Sequence, residues 1–192
     1  MTEDEILELK IRRQIYQHIV KYPGLHKREL VRFTNVAYST LDYHLHNLIR
    51  RNLINAEEDQ GFTRYYATGK IGIKDKKIIN ILRQSVPREI IMFLLLNPSA
   101  THESLRNHLH LAPSTTSYHL KKLLTLQIIS STPIGKESAY LINEPEYIID
   151  LLVTFKQIFL SNAVDQFVRT IVDIHPKYLR KQEKTDTEEK KD

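Results

Sequence analysis

Residues 36–48 read Val36-Ala-Tyr-Ser-Thr-Leu-Asp-Tyr-His-Leu-His-Asn-Leu48, and residues 111–123 read Leu111-Ala-Pro-Ser-Thr-Thr-Ser-Tyr-His-Leu-Lys-Lys-Leu123. Both contain Ala-x-Ser-Thr-x-x-Tyr-His-Leu, and the agreement runs outward from there: residues 13–54 align with 88–129 at a constant offset of 75 without a gap. Pro23 matches Pro98, Leu30 matches Leu105, and Ala37, Tyr43, His44, Leu45 and Leu48 match Ala112, Tyr118, His119, Leu120 and Leu123. A fixed-period self-match is the signature of one structural unit used more than once.

Each copy reads as three helices followed by a hairpin. In the first, Ile11, Ile15, Ile19 and Val20 form a helical stripe that Pro23 and Gly24 end. A short helix from about His26 to Phe33 turns Leu30 toward the core. After a turn at 34–36, a third helix from about Tyr38 to Arg51 buries Leu41, Leu45, Leu48 and Ile49. Leu53–Ala56 and Arg64–Thr68 read as strands about a Gly-containing turn, a β-hairpin wing. The second copy repeats the wing with Ile128–Thr132 and Ala139–Ile142 about a tip near Gly135 and Lys136. Matching Tyr66 with Tyr140 makes the offset 74 there, so the second wing is expected to be one residue shorter.

Helix, short turn, helix lays its second helix in a DNA major groove, about 12 Å wide, while the hairpin reaches a neighbouring phosphate or the minor groove. With the leucines inward, the first copy presents Ser39, Thr40, Asp42, Tyr43, His46 and Asn47, with Arg50 at the helix end. The second presents Ser114, Thr115, Ser117, Tyr118, Lys121 and Lys122. Hydroxyls and amides bond base edges or phosphates, and Lys neutralises phosphate. Arg64 beside the first wing tip and Lys136 at the second complete the candidate DNA-binding set. A solvated polar face is the plain alternative for all of them. Asp42 fits least well, since an acid repels phosphate, although it can accept from a cytosine amino group.

The two quoted stretches resemble the recognition helices of ArsR-like winged-helix regulators. Doubling of the domain before a dimerisation helix, over roughly residues 10–175, resembles the tandem winged-helix regulators common in archaea. The resemblance implies a DNA-binding transcriptional regulator. Two departures matter. Ala37 and Ala112 stand where that family carries a Ser or Thr helix cap, a contribution of about 1 kcal/mol. The chain also has no Cys, so the cysteine-based metal sensing of ArsR proteins does not carry over.

The absence of Cys likewise excludes disulfides and thiolate nucleophiles and suits a reducing cytoplasm, the expected location. Met1–Lys10 is acidic and leads into no signal-peptide core. The longest apolar run, Ile90–Leu96, falls far short of the roughly 20 residues of a membrane helix. No glycine-rich phosphate loop, nucleophile elbow, zinc motif or paired carboxylates are visible, so no catalytic residue, metal or cofactor is expected. His44 with His46, and His108 with His110, are spaced to splay apart on a helix. His44 and His119 are expected to pack between the recognition helix and the wing with a hydrogen bond to backbone.

Across 192 residues the net charge is +5, which favours a polyanionic partner. Residues 11–80 hold 13 basic and 6 acidic residues, a net +7, and residues 81–143 hold 6 and 3, a net +3. By that measure the first domain is the stronger candidate for phosphate contact.

Five segments are expected: a first winged domain (1–70), a connecting helix (71–86), a second winged domain (87–143), a C-terminal helical segment (144–180) and a disordered charged tail (181–192). The connecting helix carries Ile78, Ile79, Ile81 and Leu82 on a face that needs cover, so the winged domains are expected to pack together. After Pro145, the stripes Ile148, Leu151, Leu152, Phe155, Ile158, Phe159 and Val164, Phe167, Val168, Ile171, Val172 suggest a homodimer through residues 145–175. Packing back onto the chain's own domains is the alternative. The expected fold is mainly α with small β-hairpin wings (α+β), two winged helix-turn-helix domains in tandem plus C-terminal dimerisation helices. Its expected partners are double-stranded DNA, a second copy and the transcription machinery, with no membrane. A different class of function, a winged-helix protein-interaction module of a chromosome-segregation or general transcription subunit, shares the fold.

Overall fold

Helix α1 (Glu3–Lys21) opens the chain in a computed structural model that describes residues 3–59, 61–159 and 162–174. Ile15 and Ile19 of α1 are fully buried, whereas Val20 is exposed, because a residue adjacent to the stripe points about 100° away from it. The chain then turns at Gly24, whose φ is +79° and where a Cβ would stand 3.0 Å from the Tyr66 hydroxyl. Only glycine meets both conditions without strain.

Three elements follow in quick succession: β1 (Leu25–His26), α2 (Lys27–Thr34) and α3 (Tyr38–Arg50). His26 caps α2 reciprocally, its ring nitrogen accepting from the Glu29 N–H at 3.3 Å while the Glu29 carboxylate accepts from the His26 N–H at 2.9 Å. Asn35 ends α2 in the left-handed conformation at φ 53°, which Asn tolerates. Strands β2 (Ile54–Asp59) and β3 (Phe62–Ala67) form the wing, and β1 pairs with β3 to give a sheet ordered β1-β3-β2. Ile15, Ile19, Leu25, Leu30, Leu41, Leu45, Leu48 and Ile54 make the core beneath it. Helix α4 (Ile73–Leu82) comes next, and the chain divides into two compact units at 80/81.

The second unit repeats the plan as α5 (Ser85–Leu96), β4 (Ala100–Thr101), α6 (His102–Leu109), α7 (Pro113–Thr125), β5 (Ile129–Ile134) and β6 (Glu137–Ile142). Its sheet is ordered β4-β6-β5. Caps recur where the residues differ: Thr101 takes the place of His26, and His110 at φ 51° that of Asn35. One expectation is overturned. Leu25 pairs with Tyr65 and Ala100 with Tyr140, so Tyr65 is the counterpart of Tyr140 and the offset of 75 runs through the hairpin. The second wing is not shorter; two adjacent tyrosines at 65 and 66 allowed the wrong match.

Helix α8 (Pro145–Thr154), a 3-10 turn (Lys156–Ile158) and α9 (Asn162–Ile174) complete the described chain. Their apolar stripes are not left open. Ile148, Leu152, Val164, Phe167, Val168 and Ile171 are each under 5% exposed within a single copy, and α9 packs on α8 and the 3-10 turn. Phe159 lies 5.8 Å from the Arg88 guanidinium, which donates to the Leu82 carbonyl at 2.9 Å, so this segment closes over its own unit. Residues 175–180 of the expected pairing segment and the charged tail 181–192 lie outside the described residues. Among the described residues no helix is long and apolar enough to cross a membrane.

Candidate nucleic-acid interface

Helix α3 is oriented by burial of Leu41, Leu45 and Leu48, each at or below 1% exposed. This turns Ser39, Tyr43, His46 and Arg50 into solvent and leaves Thr40, Asp42 and Asn47 half-buried. Ile49, expected in the core, is exposed for the same angular reason as Val20. In α7 the positions of Leu41 and Leu45 are taken by Thr116 and Leu120, both buried, and Thr116 satisfies its hydroxyl on the Ala112 carbonyl at 3.2 Å. Ser114, Ser117, Tyr118 and Lys121 face outward, with Thr115 and Lys122 half-buried. Tyr43 and Tyr118 are 50% and 63% exposed, which for large aromatic rings leaves most of one face available. Ala37 and Ala112 are the N-caps of the two helices and supply no side-chain hydrogen bond.

Three of the candidate charges have partners within their own domain. Asp42 forms an ion pair with Lys27 at the start of α2, and this contact holds the Lys27 ammonium above its usual range. The acid is thus locally neutralised. Lys122 donates to the Gln84 side-chain oxygen at 2.9 Å. Arg64, read as an open wing cation, is the clearest departure. Its Nε donates to Asp59 at 2.9 Å and its Nη1 to the Gly24 carbonyl at 3.0 Å, with only 11% of the side chain exposed. A strand's side chains alternate faces, and at position 64 that face looks back over the turn after α1 rather than out from the tip. Arg64→Ala is expected to lower the stability of the first unit by about 1–3 kcal/mol through loss of charge-assisted hydrogen bonds. Urea unfolding checks this, and a loss near zero would show that the guanidinium holds nothing.

Sequence reasoning passed over the residues that steady the recognition helices from behind. Lys27 and Asp42 are 15 residues apart, as are their counterparts His102 and Ser117, and His102 Nε2 and the Ser117 hydroxyl lie 3.0 Å apart. One bridge between supporting and recognition helix is therefore ionic in the first copy and neutral in the second. The repeat did not mark this contact, since Lys27 and Asp42 are replaced by His102 and Ser117.

His44 is buried, with its ring edge-on to Tyr43 at 5.2 Å. His119 is likewise edge-on to Tyr118 at 5.0 Å, and its buried Nδ1 makes no hydrogen bond, against the expected backbone contact. Burial, helped by the nearby Lys122 charge, holds the His119 imidazole below its usual value of 6.5. Because the folded pKa is the lower one, its contribution to stability is complete above about pH 6.5 and is lost as pH falls through that value. Between pH 7.5 and 5.5 the melting temperature should drop further for the parent than for His119→Gln. Equal drops would mean that His119 does not titrate differently on folding.

Comparison with known proteins agrees with this geometry in both copies. Residues 9–78 match a family described as an N-terminal HTH domain, and residues 85–131 match the arsR family of bacterial regulatory proteins. The chain carries two helix-turn-helix domains in tandem, the second of them matching the arsR family. Over 144 residues the chain is 33% identical to an uncharacterized HTH-type transcriptional regulator of Methanocaldococcus jannaschii, with 75% of the chain and 36% of that protein aligned. It thus spans about a third of that relative's length. Among solved structures, the endosomal complex ESCRT-II matches 75% of the chain and 64% of the compared chain at 15% identity, with a TM-score of 0.30, a likeness too slight to carry an argument.

Proposed function

We propose that this tandem ArsR-like protein is a sequence-specific DNA-binding regulator of transcription, with α3 and α7 in the major groove and wing residues on the backbone. The observation that carries the reading is the duplicated Ser-Thr-x-x-Tyr-His-Leu helix, whose apolar side is buried and whose Ser39, Tyr43 and His46 are outward at the positions of Ser114, Tyr118 and Lys121. A helix supported in that way presents donors and acceptors to base edges. The one acid on this face, Asp42, is paired with Lys27, which leaves hydroxyl and basic groups beside the exposed tyrosines and favours DNA over a protein partner. Genome-wide crosslinking of the protein to DNA tests the reading. Discrete enriched sites upstream of genes support it, and an even background sinks it.

Action as a homodimer belongs to the same proposal. The buried stripes no longer argue for it, and its basis narrows to what the 145–175 segment leaves open: the groove between α5, α6 and α9 lined by Phe93, Leu96, His108, Ala163, Gln166 and Thr170. Light scattering of the full chain decides it, with twice 22.6 kDa expected for a pair.

A further inference from the structure

The duplication lets each residue of one wing be compared with its counterpart in the other. Ile54 pairs with Ala67 and Ile129 with Ile142, so Glu57, Glu58 and Asp59 stand where Thr132, Pro133 and Ile134 stand. The first hairpin, residues 54–67, holds these three carboxylates and a single basic residue, Arg64. The second, residues 129–142, has only Lys136 and Glu137 as charged residues.

Cations near the first wing are engaged inward. Arg64 is held by Asp59 and the Gly24 carbonyl, and Lys76 of α4 pairs with Glu57 while standing 4.8 Å from the Tyr66 ring. The Tyr66 hydroxyl donates to the Asn80 side chain at 2.6 Å. This wing braces α4, and with Glu57 and Asp59 paired to Lys76 and Arg64, it is Glu58, which accepts from the neutral Thr63 hydroxyl, that keeps a negative charge on the exposed edge. Duplex DNA carries one negative charge per about 1.7 Å of its axis, so that edge is repelled by it. The second wing is the opposite case. Ser130, Ser131 and Thr132 expose hydroxyls, Lys136 is exposed at the tip, and Ile134 is 55% exposed beside it. Lys136 is offset by the adjacent exposed Glu137, so this wing carries no net charge. Its hydroxyl donors and one cation can meet phosphate oxygens without the first wing's repulsion, while a bare apolar residue at a tip suits the minor-groove floor.

We infer that the two wings are not equivalent on DNA: the second wing lies on the phosphate backbone through Lys136 and its exposed hydroxyls, while the first stands off and braces α4. The inference rests on the DNA-binding reading above. It reverses, for the wings, the order suggested by the net charges of +7 and +3, because much of the first domain's surplus sits at Arg12, Arg13, Lys21, Lys70, Lys74 and Lys77, outside its recognition helix and wing.

The test uses the full chain and a mixed-sequence duplex, with binding measured over a range of salt and circular dichroism confirming the fold of each variant. Lys136→Ala should reduce the slope of log affinity against log salt by about 0.9. Thr132→Glu, which carries the first wing's charge into the second, should weaken binding further. Glu58→Lys should leave slope and affinity where they were. A slope steepened by Glu58→Lys, or left unchanged by Lys136→Ala, overturns the assignment. If the unaltered chain binds no duplex, the regulator reading itself fails and takes this inference with it, an outcome distinct from normal binding with the wing effects reversed.

Discussion

Ser39→Ala combined with Tyr43→Phe should weaken binding to a cognate site by about 1–3 kcal/mol for each base-edge hydrogen bond removed, or roughly 5- to 150-fold, while binding to a scrambled duplex barely changes. The double variant removes two exposed hydroxyls from α3 without altering net charge or touching Leu41, Leu45 or Leu48. Phosphate contacts hold the protein to any sequence, so a loss confined to the cognate duplex is the mark of base reading. The corresponding Ser114→Ala and Tyr118→Phe pair asks the same of α7. Equal losses on both duplexes would reduce these residues to backbone positioning. No loss on either would remove α3 from the interface.

Leu30→Ala and Leu105→Ala form a matched pair, since the two leucines are structural counterparts and both are completely buried. Each deletion should cost about 2–5 kcal/mol, the transfer term plus the cavity left when neighbours relax only in part. For a unit of this size each kcal/mol lowers the melting temperature by about 4–8 °C. Leu30 packs beneath α3 with Leu41 and Leu45, so Leu30→Ala should also abolish cognate DNA binding near the new melting point. Calorimetry of the two variants checks this. A loss under about 1 kcal/mol at either site would mean that its core is far looser than the burial implies.

The candidate interface was legible in part, and the division has a physical cause. Which face of α3 points outward follows from leucines at 41, 45 and 48, because a helix turns each residue by a constant angle. The spacing of those leucines alone therefore places Ser39, Tyr43 and His46 in solvent, where they are found. Whether a charge on that face is available depends on partners far away in the chain. Gly24 is 40 residues from Arg64, and Gln84 is 38 from Lys122. No local pattern announces such contacts. The Lys27–Asp42 bridge and its His102–Ser117 counterpart are closer in sequence, 15 residues, and were equally silent because neither residue type is kept between the copies.

Read alone, the sequence determined that this protein contains one helix-turn-helix and hairpin unit twice, because a gapless repeat of apolar spacing, turn residues and the Ser-Thr-x-x-Tyr-His-Leu helix leaves little else for either copy to form. Only the tertiary structure decided the register of the wings and the fate of the C-terminal stripes. Register is set by pairing across strands, where β1 meets Tyr65 and β4 meets Tyr140. A stripe such as Val164, Phe167, Val168 and Ile171 says that its helix must be covered but not by what. Hydrophobic burial is non-directional, so its periodicity marks a face and leaves the choice of neighbour to the packing of the whole unit.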